Sequence, residues 1–148
     1  MASVRAMADA LARFDDAACE AFGIGRTDLR ALNLMEHGPV TAGHIASELR
    51  LTSGTVTVLI DRLVKHGYAS RHADPDDRRK VMVGLEPATY AAFARVYAPC
   101  GQAVMAATAQ LSDRQRSAAQ RALSLITTAV VEQENNLRGA DSRLRTPH

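Results

Sequence analysis

Arg78 and Arg79 stand side by side at the end of His72-Ala73-Asp74-Pro75-Asp76-Asp77-Arg78-Arg79, a stretch dense in turn-forming residues. Flanked by Tyr68-Ala69-Ser70-Arg71 and Lys80-Val81-Met82-Val83-Gly84-Leu85, it reads as the tip of a β-hairpin. Two guanidinium groups at a hairpin tip are shaped to reach a phosphate backbone, or a narrow minor groove where negative potential is enhanced. The competing reading is a solvated charged loop, and the composition of the loop favours neither. The residues before the hairpin shift the balance. Val56, Leu59, Ile60, Leu63 and Val64 share one helical face, while Gly54, Val58, Asp61, Arg62 and Lys65 occupy the other, with Thr55 and Thr57 at its margins. Small hydroxyl and apolar side chains at a helix start, followed by cations, suit entry into a DNA major groove.

Positioning those residues requires a set of short helices. Ser53 is the expected cap of the helix just described, and Gly67 its left-handed close. Upstream, Thr41 is expected to cap a short helix with Ala42, Ile45, Ala46 and Leu49 facing inward. Only Arg50-Leu51-Thr52 separates the two, which is the helix-turn-helix arrangement. Before them, Thr27 is the expected cap of a helix that buries Leu29, Leu32 and Met35 and stops at Gly38-Pro39. The first helix carries Val4, Met7, Leu11, Phe14, Ala18 and Ala21 as a narrow seam of the kind that packs on another helix, and ends at Gly23 and Gly25. After the hairpin, Glu86-Pro87 opens a long pattern through Tyr90, Phe93, Val96, Tyr97, Cys100, Val104, Ala107 and Leu111, which Pro99 is expected to kink. Ser112-Asp113-Arg114-Gln115 is a capping box for a last helix bearing Ala119, Ala122, Leu123, Ile126, Ala129, Val130 and Leu137. The segment from Gly139 to His148 reads as a polar, flexible tail.

Composition bounds the function classes. With 148 residues, 47% apolar and 23% charged, the chain is long enough for one globular domain with a core, or one domain and an oligomerisation arm. Net charge is only +2, yet residues 50–82 carry seven cations against four acids, whereas residues 1–49 carry four arginines against seven acids. Positive charge thus concentrates in the helix–hairpin stretch, the electrostatic footprint of a DNA binder. No segment approaches the roughly 20 apolar residues of a membrane span. The N-terminus meets acids and an arginine too early for a secretory signal. Cys19 and Cys100 form no disulfide framework and have no metal-type spacing, so a reduced cytoplasm is the expected setting.

The order helix, helix, helix-turn-helix, basic hairpin, long helix, helix resembles the MarR family of winged helix-turn-helix transcriptional regulators. TAGHIASELRLTSGTVTVLIDRLVKHGYASR (41–71) and DPDDRRKVMVGL (74–85) carry the resemblance, the second being similar to the family's wing. It implies a mainly α fold, with a small β-hairpin wing and N- and C-terminal helices forming a dimerisation region. Residues 25–86 would be the DNA-binding lobe, 1–24 and 87–138 the dimerisation helices, and 139–148 a flexible tail. The implied activity is sequence-specific binding of double-stranded DNA by a homodimer, as a ligand-responsive repressor on a pseudo-palindromic operator. Carried onto this chain, Ser53, Gly54, Thr55, Thr57, Val58 and Arg62 face DNA from the recognition helix, roughly 53–66. Arg79 matches the arginine that enters the minor groove, Asp77 the acid that orients it, and Arg78 a phosphate contact. The chain departs from the family at Val58, where many members have a polar or basic residue. It departs again at Gly84-Leu85-Glu86, a change expected to touch a helix cap more than a function. The implied effector is a small aromatic or phenolic anion in a crevice between the dimer helices and the DNA lobe, with no residue assigned.

Other chemistries have less to stand on. For thiol-based redox sensing, Cys19 lies near the end of the first helix, whereas the peroxide-sensing branch of the family keeps its reactive cysteine near the start. Cys100 sits in apolar sequence beside Pro99, where most cysteines are inert. His37, His44, His66 and His72 include no i, i+4 pair, so no metal site is expected. No nucleophile–base pair, glycine-rich phosphate loop or carboxylate pair emerges, so neither catalysis nor a cofactor is expected. A winged helix used for protein–protein contact remains the alternative from another class, and the arginine pair argues against it.

Overall fold

The computed structural model describes residues 2–74, 77 and 80–144, with 139–144 as helix backbone only. Pro75, Asp76, Arg78 and Arg79 lie outside the described residues, as do Met1 and 145–148. Among the described residues, six helices and three short strands follow in the order α1 (Ala2–Phe22), α2 (Arg26–Leu34), β1 (Val40–Thr41), α3 (Ala42–Leu49), α4 (Ser53–Lys65), β2 (Ala69–Ala73), β3 (Val81–Leu85), α5 (Pro87–Thr108) and α6 (Asp113–Leu144). This is the mainly α, winged helix-turn-helix architecture that the pattern predicts. The chain divides into two compact units, Met1–Pro99 and Cys100–His148, with the division immediately after the proline inside α5.

In the first unit, α3 and α4 pack on α2 and on a three-stranded antiparallel sheet of order β1-β3-β2. β2 and β3 form the hairpin, with Ala69 opposite Leu85 and Ala73 opposite Val81. β1 adds a strand that the periodicity does not foresee, pairing Val40 with Val83 and Thr41 with Met82. Its arrival explains the departure at Gly84. A Cβ there would sit 3.2 Å from the Pro39 ring, so glycine lets the segment entering β1 lie close against β3. That residue therefore serves sheet packing, where a capping change was expected.

The core joins Leu29, Leu32 and Met35 of the α2 segment with Ile45 and Leu49 of α3 and Val56, Leu59, Ile60 and Leu63 of α4. Ala69, Val83 and Leu85 of the sheet close it from the other side. It does not stop at the expected 25–86 boundary, because Ala18 and Cys19 of α1 and Phe93 of α5 are buried in the same cluster. Of the α1 seam only Ala18 is buried, while Met7, Leu11 and Ala21 are exposed. Ala42 is exposed too, since it directly follows the cap and precedes the turn that faces inward.

Caps fall where backbone geometry requires them, in two cases one or two residues from the expected position. Thr41 caps α3, accepting from the His44 amide at 3.1 Å. α2 is capped at Gly25, which places Thr27 inside the helix as a correction to its expected role. α4 closes in a Schellman motif, with the Tyr68 amide donating to the Leu63 carbonyl and the Gly67 amide to Val64. Gly67 takes the left-handed φ of +73° that this motif requires.

In the second unit the capping box is present, with the Ser112 amide donating to Gln115 Oε1 at 2.8 Å and the Gln115 amide to Ser112 Oγ at 3.4 Å. α6 runs on to Leu144, past the expected start of the tail at Gly139.

Candidate nucleic-acid interface

Helix α4 is held from beneath and open above. Val56, Leu59, Ile60 and Leu63 are almost fully buried, which fixes the helix rotation. The opposite face therefore points to solvent, and Ser53, Gly54, Thr55, Thr57, Val58 and Arg62 all lie on exposed positions. Val58 is 62% exposed, a large apolar side chain with nothing covering it.

The hydroxyls of this face have different duties. Thr52, not Ser53, caps α4. Its carbonyl accepts the first helical bond from Val56, and its Oγ1 accepts from the Thr55 amide at 3.3 Å. An N-cap needs extended backbone, and Thr52 has it at φ −69° and ψ 155°. Ser53 is thus the first helical residue, one step past the expected cap, and its side chain lies at the surface. The Thr55 hydroxyl shares a hydrogen bond with that of Thr52 at 2.8 Å. Thr57 donates its hydroxyl proton back to the Ser53 carbonyl at 2.9 Å. Its proton is committed, so the outward functions of Thr57 are a methyl group and oxygen lone pairs.

Both charged residues near the middle of α4 are tied to neighbouring elements. Arg71 of β2 donates to Asp61 at 2.6 Å. Arg62 donates from Nε at 3.2 Å and from Nη2 at 2.5 Å to the two carboxylate oxygens of Asp28 in α2. The Asp28 side chain is 9% exposed and that of Arg62 47%. Hydrogen bonding to Asp28, reinforced by its charge, raises the Arg62 pKa further above its already high ordinary value. The guanidinium expected to face DNA is therefore partly engaged as an anchor between α2 and α4. Asp28 was missed at the sequence level, although it shares its helical face with Ala31, Leu32 and Met35, which marks it as a charge on a buried side.

At the wing, Arg78 and Arg79 lie outside the described residues. The main chain around them is fixed on both sides. The Asp77 amide donates to Asp74 Oδ1 at 3.2 Å, the Lys80 amide to the Asp77 carbonyl at 2.8 Å, and the Asp74 amide to the Lys80 carbonyl at 3.1 Å. The hairpin base is fastened to α1, whose Phe22 carbonyl accepts from the Tyr68 hydroxyl.

Two further features bear on the rival chemistries. Cys19 is 8% exposed, and burial pushes its thiol pKa up, which disfavours the thiolate that redox chemistry needs. Among the described residues no three His, Cys, Asp or Glu side chains gather as a metal site. No described helix is long and apolar enough to cross a membrane. A cavity of about 460 Å³ opens within the first unit between the turn after α2 and the first half of α5.

Comparison with known proteins agrees with this geometry. Residues 22–80 match the model of the MarR family. The HTH-type transcriptional regulator YcgE of Bacillus subtilis (strain 168) is 45% identical over 71 residues, 47% of this chain and 46% of that protein. The chain thus spans about half the length of the curated relatives it matches. Among solved structures, a MepR point mutant from a multidrug-resistant S. aureus clinical isolate superposes with a TM-score of 0.64 at 21% identity, covering 86% of this chain and 94% of that one. The S. aureus MepR–DNA complex gives a TM-score of 0.56 at 21% identity, over 85% of this chain and 96% of that one. At such identity the two structures show the fold. Residues 22–80 are thus similar to the MarR family, and the architecture around them has the fold of solved structures of that kind.

Proposed function

We propose that this chain is a sequence-specific, double-stranded-DNA-binding transcriptional regulator, a ligand-responsive repressor that acts as a homodimer on a pseudo-palindromic operator. One observation carries the reading. The first two turns of α4 present Ser53, Gly54, Thr55, Thr57 and Val58 outward on a helix whose rotation is locked by its buried face. Their small size lets a helix lie deep in a major groove. The exposed Val58 and the outward methyl of Thr57 suit apolar contact with thymine methyl groups. Arg78 and Arg79 at the wing add backbone or minor-groove contact, with Asp77 orienting Arg79. That a structure of similar fold, MepR, was solved with DNA supports the reading.

The test is selection of a preferred duplex from a random pool, followed by affinities for its single-base variants. Thr57→Ala and Val58→Arg should reorder those variants by about 1–3 kcal/mol per disturbed base contact. Arg79→Ala should weaken all duplexes alike and make the salt dependence shallower by about one log–log unit per phosphate charge released. If no duplex is preferred and Arg79→Ala changes nothing, the protein–protein reading of the winged helix takes its place.

A further inference from the structure

Helices α3 and α4 end in the same backbone motif but on different residues. At the end of α3 the Leu51 amide donates to the Ala46 carbonyl at 3.0 Å, and the Arg50 amide to the Ser47 carbonyl at 3.2 Å. The Tyr68 and Gly67 amides make the equivalent pair of bonds at the end of α4. Such a Schellman close holds one residue in the left-handed region, where glycine carries no steric penalty. α4 places Gly67 there, at φ +73°. α3 places Arg50 there, at φ 53° and ψ 47°. Among the described residues, Arg50 is the one non-glycine residue with a positive φ. Its Cβ is brought close to the following carbonyl oxygen, a destabilising contact that glycine would not make.

The turn between the two helices is Arg50-Leu51-Thr52, and its other two residues have duties in the fold. Leu51 packs against the core, and the Thr52 side chain caps α4. Arg50 is the charged residue of the three, and its side chain lies at the surface. It stands three residues before Ser53, the first residue on the outward face of α4. When the second helix of such a pair enters a major groove, the first crosses the sugar–phosphate backbone, so the turn between them passes over phosphates. We propose that Arg50 contacts a backbone phosphate of the operator, from a left-handed position that glycine would occupy with greater stability. The assignment rests on the regulator reading above and adds a contact that lies outside both α4 and the wing. A guanidinium recognises phosphate through charge-assisted hydrogen bonds, and such contacts fix register without reading bases. Arg50 therefore sets affinity and salt dependence, whereas the outward face of α4 sets which sequence is bound.

The experiment makes Arg50→Gly, Arg50→Ala and Arg50→Lys in the full chain. Each is melted thermally, and each is titrated with the parent's selected duplex and with random duplex across a salt series. Arg50→Gly should melt about 2–4 °C higher, because the left-handed backbone is relieved of its Cβ. The same variant should bind at least about tenfold more weakly. Its log–log salt slope should become shallower by about one unit for each copy on the duplex. Arg50→Ala should lose binding equally without the rise in melting temperature, since alanine keeps the Cβ. Arg50→Lys should keep the parent's slope, and all four proteins should rank single-base operator variants alike. An arginine that serves only the fold gives the opposite pattern, a lower melting temperature in Arg50→Gly with binding untouched. Unchanged affinity and slope in both Arg50→Gly and Arg50→Ala, from a parent that still selects an operator, overturn this contact and leave the regulator standing. A parent that prefers no sequence, with the slope on random duplex still flattened in both variants, keeps the contact and sinks sequence-specific recognition instead.

Discussion

Asp28 is a carboxylate buried in the α2 face, and the guanidinium of Arg62 is the group that compensates it. Removing either partner has different consequences. Arg62→Ala strands a buried charge and should cost about 1–3 kcal/mol, the lower part of the range for buried pairs because Arg62 is half exposed. Asp28→Asn keeps the shape and an accepting oxygen and returns Arg62 to solvent, so about 1 kcal/mol or less is expected. Urea unfolding of the two variants and of their combination checks the ordering. The double variant should cost less than the sum, because the second change removes a group already deprived of its partner. A second pair, Arg26 on Asp16 at 2.6 Å, joins α1 to α2 at the surface. Its hydrogen bond, with the Arg26 charge adding to it, holds the Asp16 carboxyl below the ordinary carboxylate range. A depressed folded-state pKa contributes stability that is fully present above the unfolded value, about 4, and is lost as pH falls through the folded value. Asp16→Asn should therefore unfold with a shallower acid limb below about pH 4, and with no change in slope near neutrality. Melting temperatures across an acid pH series measure it.

At the scale of the element, the same substitution should have opposite signs at the two ends of α4. Gly67 holds a φ of +73°, and a Cβ there would meet nothing within 4 Å. The cost of Gly67→Ala is then purely conformational, about 1–2 kcal/mol. Gly54 lies inside the first turn with equally open space, so Gly54→Ala should stabilise by about 0.5–1 kcal/mol through helix propensity. Urea midpoints moving in the same direction for both would contradict this account of how α4 is bounded. The contrast also shows what sequence can reveal. Gly67 was legible because a glycine following a helical run of apolar residues marks a left-handed close. The α4 cap was legible only to within one residue, since Thr52 and Ser53 both carry hydroxyls and the choice depends on which carbonyl opens the helix. β1 was not legible, because two residues after a proline are too short for any alternation. The outward face of α4 could be read from its spacing. The Arg62–Asp28 anchor spans 34 positions, and the cavity joins Glu36 to Tyr97; neither juxtaposition leaves a local trace.

At the scale of the whole molecule, several large apolar side chains are exposed. In α6, Leu123, Ile126, Val130 and Leu137 fall at steps of three, four and seven, a heptad-like seam along one side of a 32-residue helix. Leu123, Val130 and Leu137 are 47%, 60% and 72% exposed, a pattern that a single chain in water does not sustain without cost. Met7 and Leu11 of α1 and Val104 and Met105 of α5 are exposed as well. We propose that a second copy of the chain covers these faces, which also supplies the two-fold symmetry that a pseudo-palindromic operator demands. Light scattering at micromolar concentration should then give twice the 15.9 kDa of one chain. Val130→Glu combined with Leu137→Glu would place carboxylates in the contact, at about 3 kcal/mol or more for two poorly solvated charges. That weakens dimerisation by about a hundredfold or more. Because the solvent-exposed seam contributes nothing to the core of the first unit, the helix-turn-helix should keep its melting transition. Loss of operator affinity should track loss of the dimer, since a lone lobe contacts one half-site of a pair spaced by about 34–36 Å. A variant that stays dimeric locates the interface elsewhere, and a monomeric parent chain that still binds a palindrome tightly removes the reason for one.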